Sequence, residues 1–225
     1  MFKNIYKKII WGFLFVSATA TSGVEIGGTR LIYNGGSNQA AISINNPDNK
    51  PYLIQSWISE SENGDDSDSV FTTTPPLFKL NPHSQNSVRA MLTGHSLPGD
   101  RESVYWLNIK AIPSSSPDAK NELLIAVKSK MKLLYRPVGL KGDPTSAYQQ
   151  LTFSLDGEKL NIHNPSPYSV SLYDIKVNGK QLDNPPMILP FKTVSLFQSV
   201  VTGSEISWRA VNDFGGVTAE YKFKM

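Results

Sequence analysis

The chain has 225 residues, 18% of them charged and none of them cysteine, with a formal net charge of +3. That excess lies in the first 20 residues, which take three of the 22 Lys and Arg and no acid, leaving 19 against 19 Asp and Glu. A neutral remainder argues against nucleic-acid or anionic-membrane binding, and the missing thiols exclude cysteine proteases, dithiol redox enzymes and cysteine-ligated metal sites.

Lys3, Lys7 and Lys8 precede an apolar run from Ile9 to Ser17, and Ala18-Thr19-Ala20 supplies small residues. This is the layout of a secretory signal peptide, cleaved after Ala20 or Ser22. The run is far shorter than the roughly 20 apolar residues that cross a bilayer, so no membrane insertion is expected after cleavage. Export usually brings a chain to a compartment where disulfides form, yet this one must be held by packing alone.

Strand-like runs then follow at short intervals: Leu31 to Tyr33, Ala40 to Ile44, Tyr52 to Ile58, Ser87 to Leu92 and Val104 to Ala111. Turn-forming Gly, Pro, Asn and Ser separate them, and no useful window shows helical periodicity, which predicts an all-β sandwich. The acidic stretch from Glu60 to Asp68 lacks the ligand spacing of a helix-loop-helix calcium site and reads as a solvated hairpin loop.

From Glu122 to Pro137 the pattern changes character. Leu123, Ile125 and Val127 alternate and therefore share one face of an extended strand. Lys128, Lys130 and Lys132 follow, and Pro137, which cannot donate to a ladder, marks the exit. Alternation alone favours packing of the apolar face into the chain's own core.

Gly139, Gly142, Asp143 and Pro144 form a breaker-rich linker, placed at 139–144, between a first domain at 21–138 and a second at 145–225. The second half repeats the strand pattern: Leu151 to Leu155, Lys159 to His163, Ser169 to Ile175, Thr193 to Phe197, Glu205 to Val211 and Thr218 to Phe223. An internal echo joins the halves. Ile44-Asn45-Asn46-Pro47 leads to Pro51-Tyr52, as Ile162-His163-Asn164-Pro165 leads to Pro167-Tyr168.

Enzymatic chemistry finds little support. No nucleophile elbow, phosphate loop or paired-histidine zinc motif occurs, and His83, His95 and His163 are far apart in loop-like surroundings. No catalytic, metal or cofactor site is expected.

Six motifs occur in one order: Gly28-Thr29-Arg30-Leu31-Ile32-Tyr33, Pro51-Tyr52-Leu53-Ile54-Gln55-Ser56-Trp57-Ile58, Thr74-Pro75-Pro76, Asp100-Arg101-Glu102-Ser103, Lys132-Leu133-Leu134-Tyr135-Arg136-Pro137 and Asn212-Asp213-Phe214-Gly215-Gly216. With these the chain resembles the periplasmic pilus (fimbrial) chaperones of the PapD type. The short segment before Glu122 resembles the family's short-loop branch.

The resemblance implies two immunoglobulin-like β-sandwich domains arranged as a boomerang with a cleft between them. It also implies a periplasmic function: binding pilus subunits by lending them a strand, and passing them to an outer-membrane usher. It assigns Leu123, Ile125 and Val127 to the subunit's groove, reversing the reading from alternation. Arg30 and Lys132 would anchor the subunit's terminal carboxylate, and Glu102, Arg136 and Asp213 would tie the domains together. Strict alternation sets Lys132 on the face opposite Leu123, so a bulge or strong twist is expected between Val127 and Lys132. An uncovered apolar edge invites self-association of the free protein. The competing reading is a secreted sandwich that is itself a subunit or adhesin of a surface fibre.

Overall fold

The computed structural model describes residues 23–64, 70–94, 96–115, 123–157, 159–197 and 201–225. The expected signal peptide, Asp65, Asp66 and Asp68 of the acidic stretch, His95, and most of the short segment ending at Glu122 lie outside these residues.

The first half is a two-layer sandwich whose strands bury alternate residues. One layer holds β1 (Glu25–Ile26), β3 (Ala40–Asn46), β7 (Ser84–Leu92) and β5 (Phe71–Thr74), in that order. The facing layer runs β2 (Arg30–Asn34), β9 (Val127–Arg136), β8 (Ser103–Pro113), β4 (Tyr52–Ser59) and β6 (Leu77–Leu80). Leu31, Tyr33, Ile42, Ile44, Leu107 and Leu133 point between the layers. Tyr33 and Phe71 meet edge-on with centroids 5.4 Å apart, and Phe71 and Tyr105 do so at 4.9 Å, a geometry aromatic quadrupoles favour.

Two chain segments cross from one layer to the other. At Gly27-Gly28 the first strand leaves β3 and reappears as β2, beside β9. A Cβ on Gly27 would lie 2.0 Å from Ser43 Oγ, so any larger residue at the crossing would have to displace that hydroxyl. The second crossing, at Pro75-Pro76, separates β5 from β6, two strands too short to stand out in sequence.

The second half opens with a turn of 3₁₀ helix, Ala147–Gln150, and forms a second sandwich. One layer is β10 (Thr152–Asp156), β11 (Lys159–His163) and β15 (Thr193–Phe197). The other is β13 (Lys180–Gln181), β12 (Val170–Val177), β16 (Glu205–Ala210) and β17 (Tyr221–Lys224), with β14 (Met187–Ile188) also paired to β12. Trp208 is its central residue: it contacts Phe153 at 4.7 Å and Tyr221 at 5.4 Å, and its indole N–H donates to the Tyr148 carbonyl at 2.9 Å. The last strand begins at Tyr221 rather than at the expected Thr218.

The sequence echo has a structural counterpart. Asn46 and Asn164 are fully buried at the ends of β3 and β11. The Asn46 amide donates to the carbonyls of Lys50, Leu80 and Asn81, while its oxygen accepts from Asp48 N–H. Asn164 donates to the carbonyls of Tyr168, Ile188 and Leu189, and accepts from Ser166 N–H. Each asparagine thus folds its own turn and ties it to a distant segment, satisfying backbone groups that would otherwise be buried unpaired.

Candidate functional site

β9 is inner to the sheet along only half its length. β8 pairs with it throughout Val127–Tyr135, whereas β2, running parallel to it, covers only Lys132–Arg136. The edge from Val127 to Met131 therefore presents backbone groups with no neighbouring strand among the described residues, a template for strand addition.

Leu123, Ile125 and Val127 are 84%, 66% and 58% exposed, so they do not enter the chain's own core. Ile125 and Val127 line a groove with Val24, Ile26, Ile109 and Ala111 at the open end of the sandwich. The strand is shorter than expected: it begins at Val127, and Leu123 to Ala126 have no regular pairing.

Of the bulge or strong twist expected before Lys132, the bulge is absent. The β8–β9 register runs unbroken from Ala111 opposite Val127 to Ser103 opposite Tyr135. Met131 and Leu133 are buried toward the core, so Lys128, Lys130 and Lys132 take the other face. A bulge would shift the register and turn one of these apolar residues outward. Within the ladder, Val127 and the three lysines occupy opposite faces, while Leu123 and Ile125 precede it.

Arg30 and Lys132 are partners across the parallel β2–β9 register, at the point where the open edge ends. Burial lowers the pKa of each. Lys132 is lowered further by its Arg30 neighbour, against a weaker pull from Glu62, while Asp213 and Glu102 partly offset the effect at Arg30. No ion pair involves either residue among the described residues. Arg30 donates from Nη1 to the Val211 carbonyl of the second sandwich at 3.0 Å, and its Nε is buried without a partner. The Lys132 ammonium lies 5.1 Å from the centre of the Trp106 ring, on the residue directly opposite it in β8. Two half-buried cations side by side, with donor capacity to spare, have the charge and donor geometry that a carboxylate can pair with.

Carboxylates are present nearby but are committed elsewhere. Arg136 donates from Nε to Glu102 at 2.7 Å and through both terminal nitrogens to Asp213 at 2.7 and 3.0 Å. Glu102 also accepts from Ser169 N–H at 2.8 Å, and its own N–H donates to the Pro167 carbonyl. Burial raises the Glu102 pKa, opposed by the Ser169 N–H and Arg136. Burial also works against the Arg136 charge, but bonding to Asp213 and Glu102 outweighs it and holds that pKa high. These contacts join β8 and β9 of the first sandwich to the second.

Trp106, Val211 and Ser169 were not singled out from sequence. Trp106 left a signal: it interrupts the inward Tyr105 and Leu107 and so must face outward, where an aromatic ring needs a reason to be. The Val211 carbonyl and Ser169 N–H are backbone groups, and residue type carries no trace of them.

Residues 23–141 match the family described as "Pili and flagellar-assembly chaperone, PapD N-terminal domain", and 146–222 match "Pili assembly chaperone PapD, C-terminal domain". A probable fimbrial chaperone, LpfB of Escherichia coli O157:H7, is 36% identical over 221 residues, covering 96% of this chain and 94% of that one. The LpfB chaperone of Salmonella typhimurium is 38% identical over 208 residues, covering 90% and 89%. Among solved structures, a Salmonella enterica SafA pilin in complex with the SafB chaperone aligns with a TM-score of 0.82 at 33% identity, covering 92% of this chain and 99% of the matched one. The chain belongs to the PapD family of pilus-assembly chaperones.

Proposed function

We propose that this protein is a non-enzymatic periplasmic chaperone that binds pilus subunits by donor-strand complementation and delivers them to an outer-membrane usher. In this reading residues 1–20 are removed on export, 21–138 form the strand-donating domain, 139–144 the linker and 145–225 the second sandwich. A subunit lacking its last strand exposes an apolar groove and unpaired backbone, both costly in water. Leu123, Ile125 and Val127 fill that groove, at roughly 1.5–3 kcal/mol for each side chain buried. The open edge of β9 supplies the missing ladder.

The observation that carries the reading is the cation pair at the end of that edge. Arg30 and Lys132 receive the subunit's C-terminal carboxylate, while Glu102, Arg136 and Asp213 hold the two sandwiches around it. The test is a pull-down of tagged protein from the periplasm of pilus-expressing cells, beside Lys132→Ala. Small secreted β-rich subunits should accompany the native protein and be lost from the variant, since removing one partner of a desolvated charge pair costs about 2–5 kcal/mol. Equal recovery by both would refute the anchor; recovery by neither would refute the chaperone reading.

A further inference from the structure

Between the sandwiches, beside Arg30, lies a cavity of about 210 Å³ whose walls are of two kinds. Tyr148, Tyr168, Val170 and Phe214 of the second sandwich supply apolar surface, and Arg30 and Arg136 of the first supply guanidinium planes. Arg136 already lies over the Tyr168 ring, 5.4 Å from its centre. Phe214 is 95% exposed, a large aromatic with no core to pack into. Its turn is nonetheless firmly built. The Asn212 side-chain oxygen accepts from the N–H groups of Phe214 and Gly216 at 3.0 and 2.9 Å, and a Cβ on Gly215 would lie 2.4 Å from Thr29 Oγ1 of the first sandwich. The Asn212-Asp213-Phe214-Gly215-Gly216 motif therefore does more than offer Asp213 to Arg136: it holds Phe214 at the mouth of the cavity.

We propose that this cavity receives the side chain of the subunit's last residue and selects an aromatic one. The inference rests on the reading of Arg30 and Lys132 as the carboxylate anchor, because that reading fixes where the guest chain ends. A strand that pairs along Val127–Met131 and ends at Lys132 runs parallel to β9, in the row of β2, and stops at Arg30. Leu31 and Tyr33 point into the first sandwich, so Arg30 points away from it. Its bond to the carbonyl of Val211, itself a residue of the cavity wall, carries the guanidinium to the cavity's edge. Arg30 is thus anchor and wall at once, and the terminal residue of the guest is the one placed to use both. The space suits a single ring, since an apolar cavity of about 150 Å³ holds benzene. A ring is favoured over an aliphatic chain because guanidinium planes lie well on aromatic faces.

The test uses the full-length protein and synthetic Val/Thr peptides of strand length with free C-termini, differing only in the last residue and read by fluorescence polarisation. Phenylalanine should bind about ten-fold or more tighter than alanine, the gain from burying one such side chain, and about two- to five-fold tighter than leucine. Moving the phenylalanine one residue earlier should remove the gain. Phe214→Ala, at a position too exposed to carry the fold, should reduce the ratio of phenylalanine to alanine affinity, and Phe214→Tyr should keep it. Equal binding whatever the last residue, an equal gain from the displaced phenylalanine, or a ratio unchanged in Phe214→Ala overturns the proposal. C-terminally amidated peptides separate the two readings. Loss on amidation without any dependence on the last side chain keeps the anchor and rejects the cavity, whereas amides that bind as well as acids, or no binding by any peptide, reject the anchor and the cavity with it.

Discussion

A lysine placed beside an arginine with no carboxylate between them titrates abnormally, and Lys132 is in that position. Burial and the Arg30 charge both lower its pKa. A bound carboxylate favours the charged form, so the bound pKa lies above the free one. Affinity for a peptide with a free C-terminus is then greatest below the free-state pKa and falls as pH rises through the bound value. Titration of binding from neutral to alkaline pH should show this loss, and Lys132→Arg, whose guanidinium stays charged, should remove it. Resemblance pointed to Lys132, but its surroundings were hidden. Trp106 approaches only because β8 and β9 pair in one particular register, and register is set by which residues find the core rather than by either segment alone.

Strands show why some of the fold was readable and some was not. Long alternating runs such as Val104 to Ala111 advertise themselves, because each buries every second side chain. β1, β5 and β6 do not, since Gly27-Gly28 and Pro75-Pro76 cut them below the length at which a period can be seen, and a change of layer is invisible to local pattern. Of the bulge or strong twist anticipated before Lys132, the bulge failed for a related reason: it assumed that groove residues and anchor must share a face, whereas in the unbroken ladder Val127 and Lys132 take opposite faces. The paired asparagines were visible as an echo but not as an interaction. Asn164→Ala would strip bonds from three carbonyls and the Ser166 N–H, and should cost about 3 kcal/mol in chemical denaturation. Asn46→Ala should cost less, because its bonds to Lys50 and Asn81 are closer to solvent.

At the scale of the whole molecule the two sandwiches are joined through Arg136. Arg136→Ala leaves the Glu102 carboxylate, 1% exposed in its side chain, with only a backbone donor, which should destabilise the protein by about 3 kcal/mol or more. Adding Glu102→Gln should restore much of that loss, and denaturation curves of the three forms would show it. The second sandwich has its own acid sensitivity. Bonding to Arg209 holds the Asp174 pKa below the ordinary carboxylate value against the opposing effect of burial. A depressed folded pKa gives stability that is present above the unfolded value, about 3.9, and is lost as pH falls through the folded one. Thermal unfolding between neutral and strongly acid pH should show this decline, and Asp174→Asn should flatten it while lowering stability at neutral pH. The crossing at Gly27-Gly28 carries a final consequence. Had the opening segment stayed in one layer it could have lain along all of β9 and sealed the sandwich. By passing between layers it leaves half a berth vacant beside β9, so the room for a foreign strand traces back to a crossing made at two residues without side chains, just before Arg30.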